Sequence, residues 1–95
     1  MHLRIVPGRV MDFRTLYRRE IVPLLKQQEG NINSFLIELT ERGNEFLSIS
    51  IWNDRSDSQK YLSGDQYRIV SEKLREVACV PPSGREYAIR LNQVL

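Results

Sequence analysis

The sequence predicts a small α+β domain, because two segments with helical periodicity alternate with segments that follow the two-residue period of strands. Residues 11–28 and 65–78 carry apolar side chains every three or four positions, whereas residues 45–52 alternate apolar and polar side chains. Turn-forming residues separate these segments at Pro7-Gly8, around Gly43 and at Pro81-Pro82. The order β-α-β-β-α-β with right-handed crossovers folds most simply into a ferredoxin-like four-stranded antiparallel sheet with both helices on one face.

The first half of the chain predicts a strand over residues 2–6 and an amphipathic helix over residues 11–28. Pro23 lies inside this helix and cannot donate a hydrogen bond to the carbonyl of Arg19, so the helix should bend or split there. The helix is expected to stop by Gly30. Its apolar stripe consists of Phe13, Leu16, Tyr17, Ile21, Leu24 and Leu25.

The second half predicts a hairpin formed by residues 32–40 and 45–52, followed by two helices. Patterns that resemble capping boxes at 56–59 and 63–66 predict a short helix over 57–62 and a longer one over 65–78. Ser71 is a polar residue within the apolar stripe of the longer helix. A last strand is predicted from the alternation of Tyr87, Ile89 and Leu91. The buried stripe of the longer helix comprises Tyr67, Val70, Leu74, Val77 and Ala78.

The third strand has two different sides. Leu47, Ile49 and Ile51 form an aliphatic row, and because the helices cover only one sheet face, this row predicts a homodimer in which a second copy covers the other. The opposite row, which includes Phe46, Ser48, Ser50 and Trp52, should face the helices, and its two small serines leave volume for a cavity. An alternative stays open, in which the serines bond locally and the indole only fills the core.

Composition excludes several classes of function. The 95 residues, 41% hydrophobic and 27% charged with a net charge of +2, predict one domain over residues 1–95 and no nucleic-acid partner. The first strand also lacks the stacking aromatic residues of RNA-recognition modules. The single His2 and single Cys79 predict neither a metal site nor a nucleophilic triad. With no signal peptide or membrane span visible and no internal disulfide possible, a cytoplasmic location is expected.

Three segments resemble the antibiotic biosynthesis monooxygenase family of dimeric α+β barrel proteins. They are residues 20–30, EIVPLLKQQEG; residues 47–52, LSISIW; and the helix start that contains Tyr61 and Tyr67. The likeness covers nearly the whole chain. It implies that two sheets pack face to face across a homodimer and that each subunit keeps a cavity between its own sheet and helices, with Trp52 in its lining.

The family includes cofactor-free quinone-forming oxygenases, haem-degrading oxygenases and members of unknown activity. In haem-degrading relatives an asparagine and a histidine complete the site, and the matching positions here are Met1 and Ser71. Because a haem iron needs an axial ligand, this departure argues against haem chemistry.

The resemblance therefore implies a monooxygenase that uses no cofactor and acts on a small planar aromatic or quinone-like compound. A non-catalytic domain that binds a small hydrophobic ligand, or serves only for dimerisation, is the alternative. Glu20 and Glu38 are the candidate general bases. The implied site residues are Trp52 and Ser71 as catalytic residues and Tyr17, Ser48, Ser50 and Tyr67 as substrate-binding residues.

Overall fold

The computed structural model describes residues 1–39, 41 and 43–87, and within them it confirms an α+β fold with helices packed on an antiparallel sheet. The long first helix has three consecutive parts: an α-helical start, a π-helical turn and an α-helical end. The elements are β1 (His2–Arg4), α1 (Val10–Leu16), the π turn (Tyr17–Ile21), α2 (Val22–Lys26), β2 (Asn31–Glu38), β3 (Glu45–Trp52), α3 (Arg55–Leu62) and α4 (Asp65–Arg75).

The sheet has the strand order β1-β3-β2, and both pairings are antiparallel. After α4 the chain returns along the free edge of β1, where the Cys79 amide donates a 2.8 Å hydrogen bond to the Arg4 carbonyl. A further bridge joins His2 to Ser83 on this edge. Of the predicted fourth strand, Tyr87 belongs to no strand and is exposed. Ile89 and Leu91 lie outside the described residues, so the four-stranded sheet stays a prediction.

The irregularity expected at Pro23 takes the form of the π turn immediately before it. The Val22 amide donates to the carbonyl of Tyr17, five residues back, instead of four. Since an α-helix has about 3.6 residues per turn, side chains spaced four apart drift around its axis, and one wider turn offsets this drift. The π turn thereby keeps four buried residues at strict four-residue spacing on one face, namely Phe13, Tyr17, Ile21 and Leu25.

The predicted capping boxes were both wrong. The Asp54 carboxylate caps α3 by accepting from the Arg55 amide at 2.9 Å and from the Ser56 hydroxyl at 2.8 Å, so the helix begins at Arg55 instead of residue 57. The Ser63 hydroxyl donates to the Gln59 carbonyl at the end of α3 and caps nothing in α4. A short polar side chain can serve either helix end, and the local pattern does not distinguish them. Helix α4 ends at Arg75, before the predicted residue 78.

The core lies between the sheet and the helices. Phe46 of β3 is fully buried and its ring centroid lies 4.7 Å from that of Phe13. On the opposite sheet face Phe35 and Ile37 remain 37% and 39% exposed, so a row of apolar side chains stays partly uncovered in the part of the chain that the structure describes. No helix in the part of the chain that the structure describes is long and apolar enough to cross a membrane.

Candidate functional site

Three aromatic side chains from three elements meet at the end of β3, and we call them the aromatic cluster. Trp52 ends β3 and stacks on Tyr61 of α3, with ring centroids 5.2 Å apart and planes inclined by 29°. Tyr67 of α4 approaches Tyr61 edge-on at 5.6 Å. All three side chains are half-buried, so the aromatic cluster is an amphipathic surface and not a sealed part of the core.

A tyrosine and a serine connect the first helix to β3 next to this surface. The Tyr17 and Ser48 hydroxyls share a 2.5 Å hydrogen bond, and only 4% of Tyr17 is exposed. Tyr17 is the first residue of the π turn, so the irregular turn carries the buried phenol against the strand. π-Helical turns are frequent at functional sites.

Two of the phenols are held in their protonated form. Burial raises the pKa of Tyr17, an effect that the hydrogen bond from Ser48 partly offsets. Burial also raises the pKa of Tyr61, and the neighbouring phenols of Tyr67 and Tyr17 raise it further because a second phenolate would repel the first. Both groups therefore remain neutral hydrogen-bond donors at neutral pH and well above it.

A second set of polar side chains links β2 to β3. Ser34 lies opposite Ser50 in the sheet, and their hydroxyls are 2.9 Å apart. The Asn31 side-chain amide donates to the Ser34 hydroxyl at 2.9 Å, and Ser34 itself is only 6% exposed. Sequence analysis missed Asn31 and Ser34. The available signal was that Ser34 has the opposite parity to Phe35 and Ile37 and so shares the helix-facing side with Ser50.

An open cleft of about 220 Å³ lies between the end of α2 and one face of α3. The Lys60 ammonium and the Glu29 carboxylate form an exposed ion pair at 3.3 Å in its lining. Tyr61 belongs both to the cleft and to the aromatic cluster, so the two adjoin. The cleft is lined by Gln28, Glu29, Asp57, Lys60 and Tyr61. Because these residues come from two distant parts of the sequence, no local sequence pattern predicts the cleft.

Ser71 and the two candidate bases, Glu20 and Glu38, are the remaining residues predicted from the sequence. Ser71 is half-buried and follows Tyr67 by one turn of α4, but no hydrogen bond to its side chain occurs among the described residues. The candidate bases lie on exposed surface, where Glu20 pairs with Lys73 at 2.8 Å and Glu38 pairs with Arg14 at 2.6 Å. Within residues 1–39, 41 and 43–87, no group of three or more His, Cys, Asp or Glu residues could hold a metal ion.

Comparison with known proteins agrees with this fold. The profile of the antibiotic biosynthesis monooxygenase family matches residues 1–73. A proposed antibiotic biosynthesis monooxygenase from Bordetella bronchiseptica is 16% identical with a TM-score of 0.78, over 94% of this chain and 92% of that chain. SnoaB, a cofactor-independent oxygenase from Streptomyces nogalater, is 17% identical with a TM-score of 0.70, over 81% of this chain and 76% of that one.

A protein of unknown function from Nitrosomonas europaea is also similar, at 17% identity and a TM-score of 0.70, over 97% of this chain and 89% of that chain. No curated protein matches the sequence. At these identities the solved structures establish the fold alone.

Proposed function

Because the chain belongs to the antibiotic biosynthesis monooxygenase family, we propose that it is a cofactor-independent monooxygenase acting on a small planar aromatic or quinone-like compound. The observation that carries the proposal is the aromatic cluster, a half-buried ring surface that contains the protonated phenol of Tyr61 and lies near that of Tyr17. The description of SnoaB as a cofactor-independent oxygenase supports the same chemistry. We further propose that residues 1–95 form a single domain.

The reaction we propose draws all of its electrons from the substrate. An anthrone-like compound loses a proton, and the resulting anion passes one electron to dioxygen. The substrate radical and superoxide then combine into a carbon-bound peroxide, which loses water to leave a new carbonyl. One oxygen atom stays in the product, and the other leaves as water with two substrate hydrogens. The protein has to orient the ring, exclude water and stabilise negative charge.

The site residues have distinct roles in this proposal. Trp52 supplies an aromatic wall that orients the planar substrate, and Ser71, a half-buried hydroxyl one turn after Tyr67 on α4, is the second catalytic residue. Tyr17 donates toward negative charge that develops on substrate oxygen, because its phenol stays protonated. The substrate-binding residues are Tyr17, Ser48, Ser50 and Tyr67.

We expect the purified protein to accelerate oxygen uptake by dithranol, a dihydroxyanthrone, over the buffer control. Trp52→Phe should lower the rate about tenfold, because a smaller ring loses stacking area and orientation. Ser71→Val should also lower it, whereas Tyr87→Phe, at a tyrosine that is 81% exposed, should not. An oxygen electrode measures the rates, and equal rates with protein and buffer would remove the monooxygenase proposal.

A ligand-binding domain without catalytic activity is the second candidate, and one observation favours it. The hydroxyls of Ser48 and Ser50 are already bonded to Tyr17 and Ser34, which favours a structural role for both serines over contact with a substrate. Trp52 is the only tryptophan, and its fluorescence therefore reports ligand contact directly. Quenching by dithranol without accelerated oxygen uptake would support this candidate.

Haem titration should produce no Soret shift, since Ser71 replaces the histidine of haem-degrading relatives.

The hydrogen bond between Tyr17 and Ser48 leads to a stability prediction. Tyr17→Phe removes one partner and leaves a half-buried serine hydroxyl unpaired, which should lower the free energy of unfolding by about 1–2 kcal/mol. Urea denaturation measures the change, and Tyr87→Phe is the matched control because it removes an exposed hydroxyl. An unchanged midpoint for Tyr17→Phe would mean that water replaces the phenol at no cost.

We also propose that the protein is a homodimer in which the exposed sheet faces pack together. The face carries the predicted residues Leu47, Ile49 and Ile51, and Phe35 lies opposite Ile49 in the neighbouring strand. Exposed apolar surface of this kind is unusual in a soluble monomer, and a second copy covers it without additional residues.

A further inference from the structure

The proposed reaction needs a base, and neither of the predicted carboxylates is available to act as one. Deprotonation of the substrate precedes electron transfer, because the neutral compound is a poor electron donor. Glu20 and Glu38 are 51% and 40% exposed and are both engaged by cations, at 2.8 Å and 2.6 Å. An exposed carboxylate that already pairs with a cation is poorly placed to accept a substrate proton, and neither Glu20 nor Glu38 lines the cleft.

Asp57 is the carboxylate that the fold brings next to the aromatic cluster. It lies four residues before Tyr61 on α3, so both side chains project from the same helix face, and both line the cleft. Its carboxylate packs over the Cα atom of Gly30 and is half-buried. Among the described residues no hydrogen bond or ion pair reaches that carboxylate, whereas Asp54 caps the helix and Glu29 pairs with Lys60.

Building on the proposed function, we propose that Asp57 is the general base of this site and that the cleft binds a hydroxylated aromatic compound of two or three rings. Positions i and i+4 of a helix are about 5–6 Å apart at Cβ, so the Asp57 carboxylate and the Tyr61 ring contact the same compound when it spans two or three fused rings. A ring against Tyr61 therefore presents its hydroxyl to Asp57. The volume of about 220 Å³ is below that of sites for drug-sized ligands, roughly 300–1,000 Å³, and suits a small fused-ring compound.

The proton follows a closed path. The Asp57 carboxylate takes the proton of the substrate hydroxyl in its enol form, which leaves a ring anion and a neutral carboxylic acid. After the anion has reduced dioxygen and the radicals have combined, Asp57 returns the proton to the peroxide. The terminal oxygen leaves as water when the carbonyl forms, and the carboxylate is regenerated without any external reductant or oxidant other than dioxygen.

Asp57→Asn is the decisive variant, because the amide has nearly the same shape and keeps the packing over Gly30. We expect kcat for oxygen uptake with dithranol to fall about 100-fold at neutral pH, within the range for loss of a general base, with a smaller change in KM. At alkaline pH, where dithranol ionises unaided, the rate of the variant should approach that of the wild type. A residue with a merely structural role would not produce this pH-dependent recovery.

Glu20→Gln and Glu38→Gln are the matched controls, since each removes one surface carboxylate, and both should retain wild-type rates. Wild-type activity in Asp57→Asn, or a large loss in either control, would overturn the role of Asp57 while leaving the monooxygenase proposal intact. A wild-type protein that does not accelerate oxygen uptake would overturn both proposals. Circular dichroism and Trp52 fluorescence establish that each variant is folded.

Discussion

Ile49→Lys is expected to convert the proposed homodimer into a monomer and to weaken association by roughly 100-fold or more. Ile49 lies on the sheet face opposite the helices, directly across from Phe35, which is 37% exposed in the subunit. If two such faces pack together, the ammonium group is buried without a partner, and an uncompensated buried charge costs about 3 kcal/mol or more. The monomer would in turn expose the apolar face and lose stability.

Light scattering coupled to size exclusion, over a range of protein concentrations, measures this association. Leu47→Glu should act in the same direction because Leu47 occupies the same row of β3. Met11→Lys is the matched control, since it adds the same charge at an apolar residue of α1 that is 73% exposed. A mass and dissociation constant for Ile49→Lys that equal those of the wild type would show that this face is not the interface.

The sidedness of β3 could be predicted from sequence because it depends only on the two-residue period of a strand. Phe46 contacts Phe13, Ser48 bonds to Tyr17, and Trp52 stacks on Tyr61, so the row predicted to face the helices does so. The apolar stripes of the first helix and of α4 were predictable for the same reason, since periodicity is a local property.

Features that depend on long-range packing were not predictable. The cleft joins the end of α2 to α3 across about thirty residues of sequence, so nothing in the sequence around Asp57 indicates that its side chain lines a cleft beside Tyr61. Glu45 is another example, because alternation places it on the open sheet face, yet it is 7% exposed. Its carboxylate lies 3.3 Å from the His2 imidazole and 3.7 Å from the Arg4 guanidinium, both on the neighbouring strand.

Gly30→Ala should lower the free energy of unfolding by about 2–5 kcal/mol, because strain and overpacking add at this position. Gly30 has a φ of +80°, in the left-handed region where a Cβ atom is disfavoured. A Cβ atom there would also collide with the Asp57 side chain. Gly30 also connects the start of β2 to the end of β3, since the Asn53 amide donates to the Gly30 carbonyl at 2.7 Å. Urea denaturation measures the loss.

Gly8→Ala separates the two contributions, because Gly8 has a φ of +93° but a Cβ atom added there would meet no atom within 4 Å among the described residues. Its cost should be the backbone strain alone, about 1–2 kcal/mol. The excess cost of Gly30→Ala should then disappear in an Asp57→Ala background, where the colliding side chain is absent, as a double-mutant cycle measures. Equal costs for Gly8→Ala and Gly30→Ala would mean that Asp57 moves aside freely, and a carboxylate that moves so easily is not held in place to accept a substrate proton.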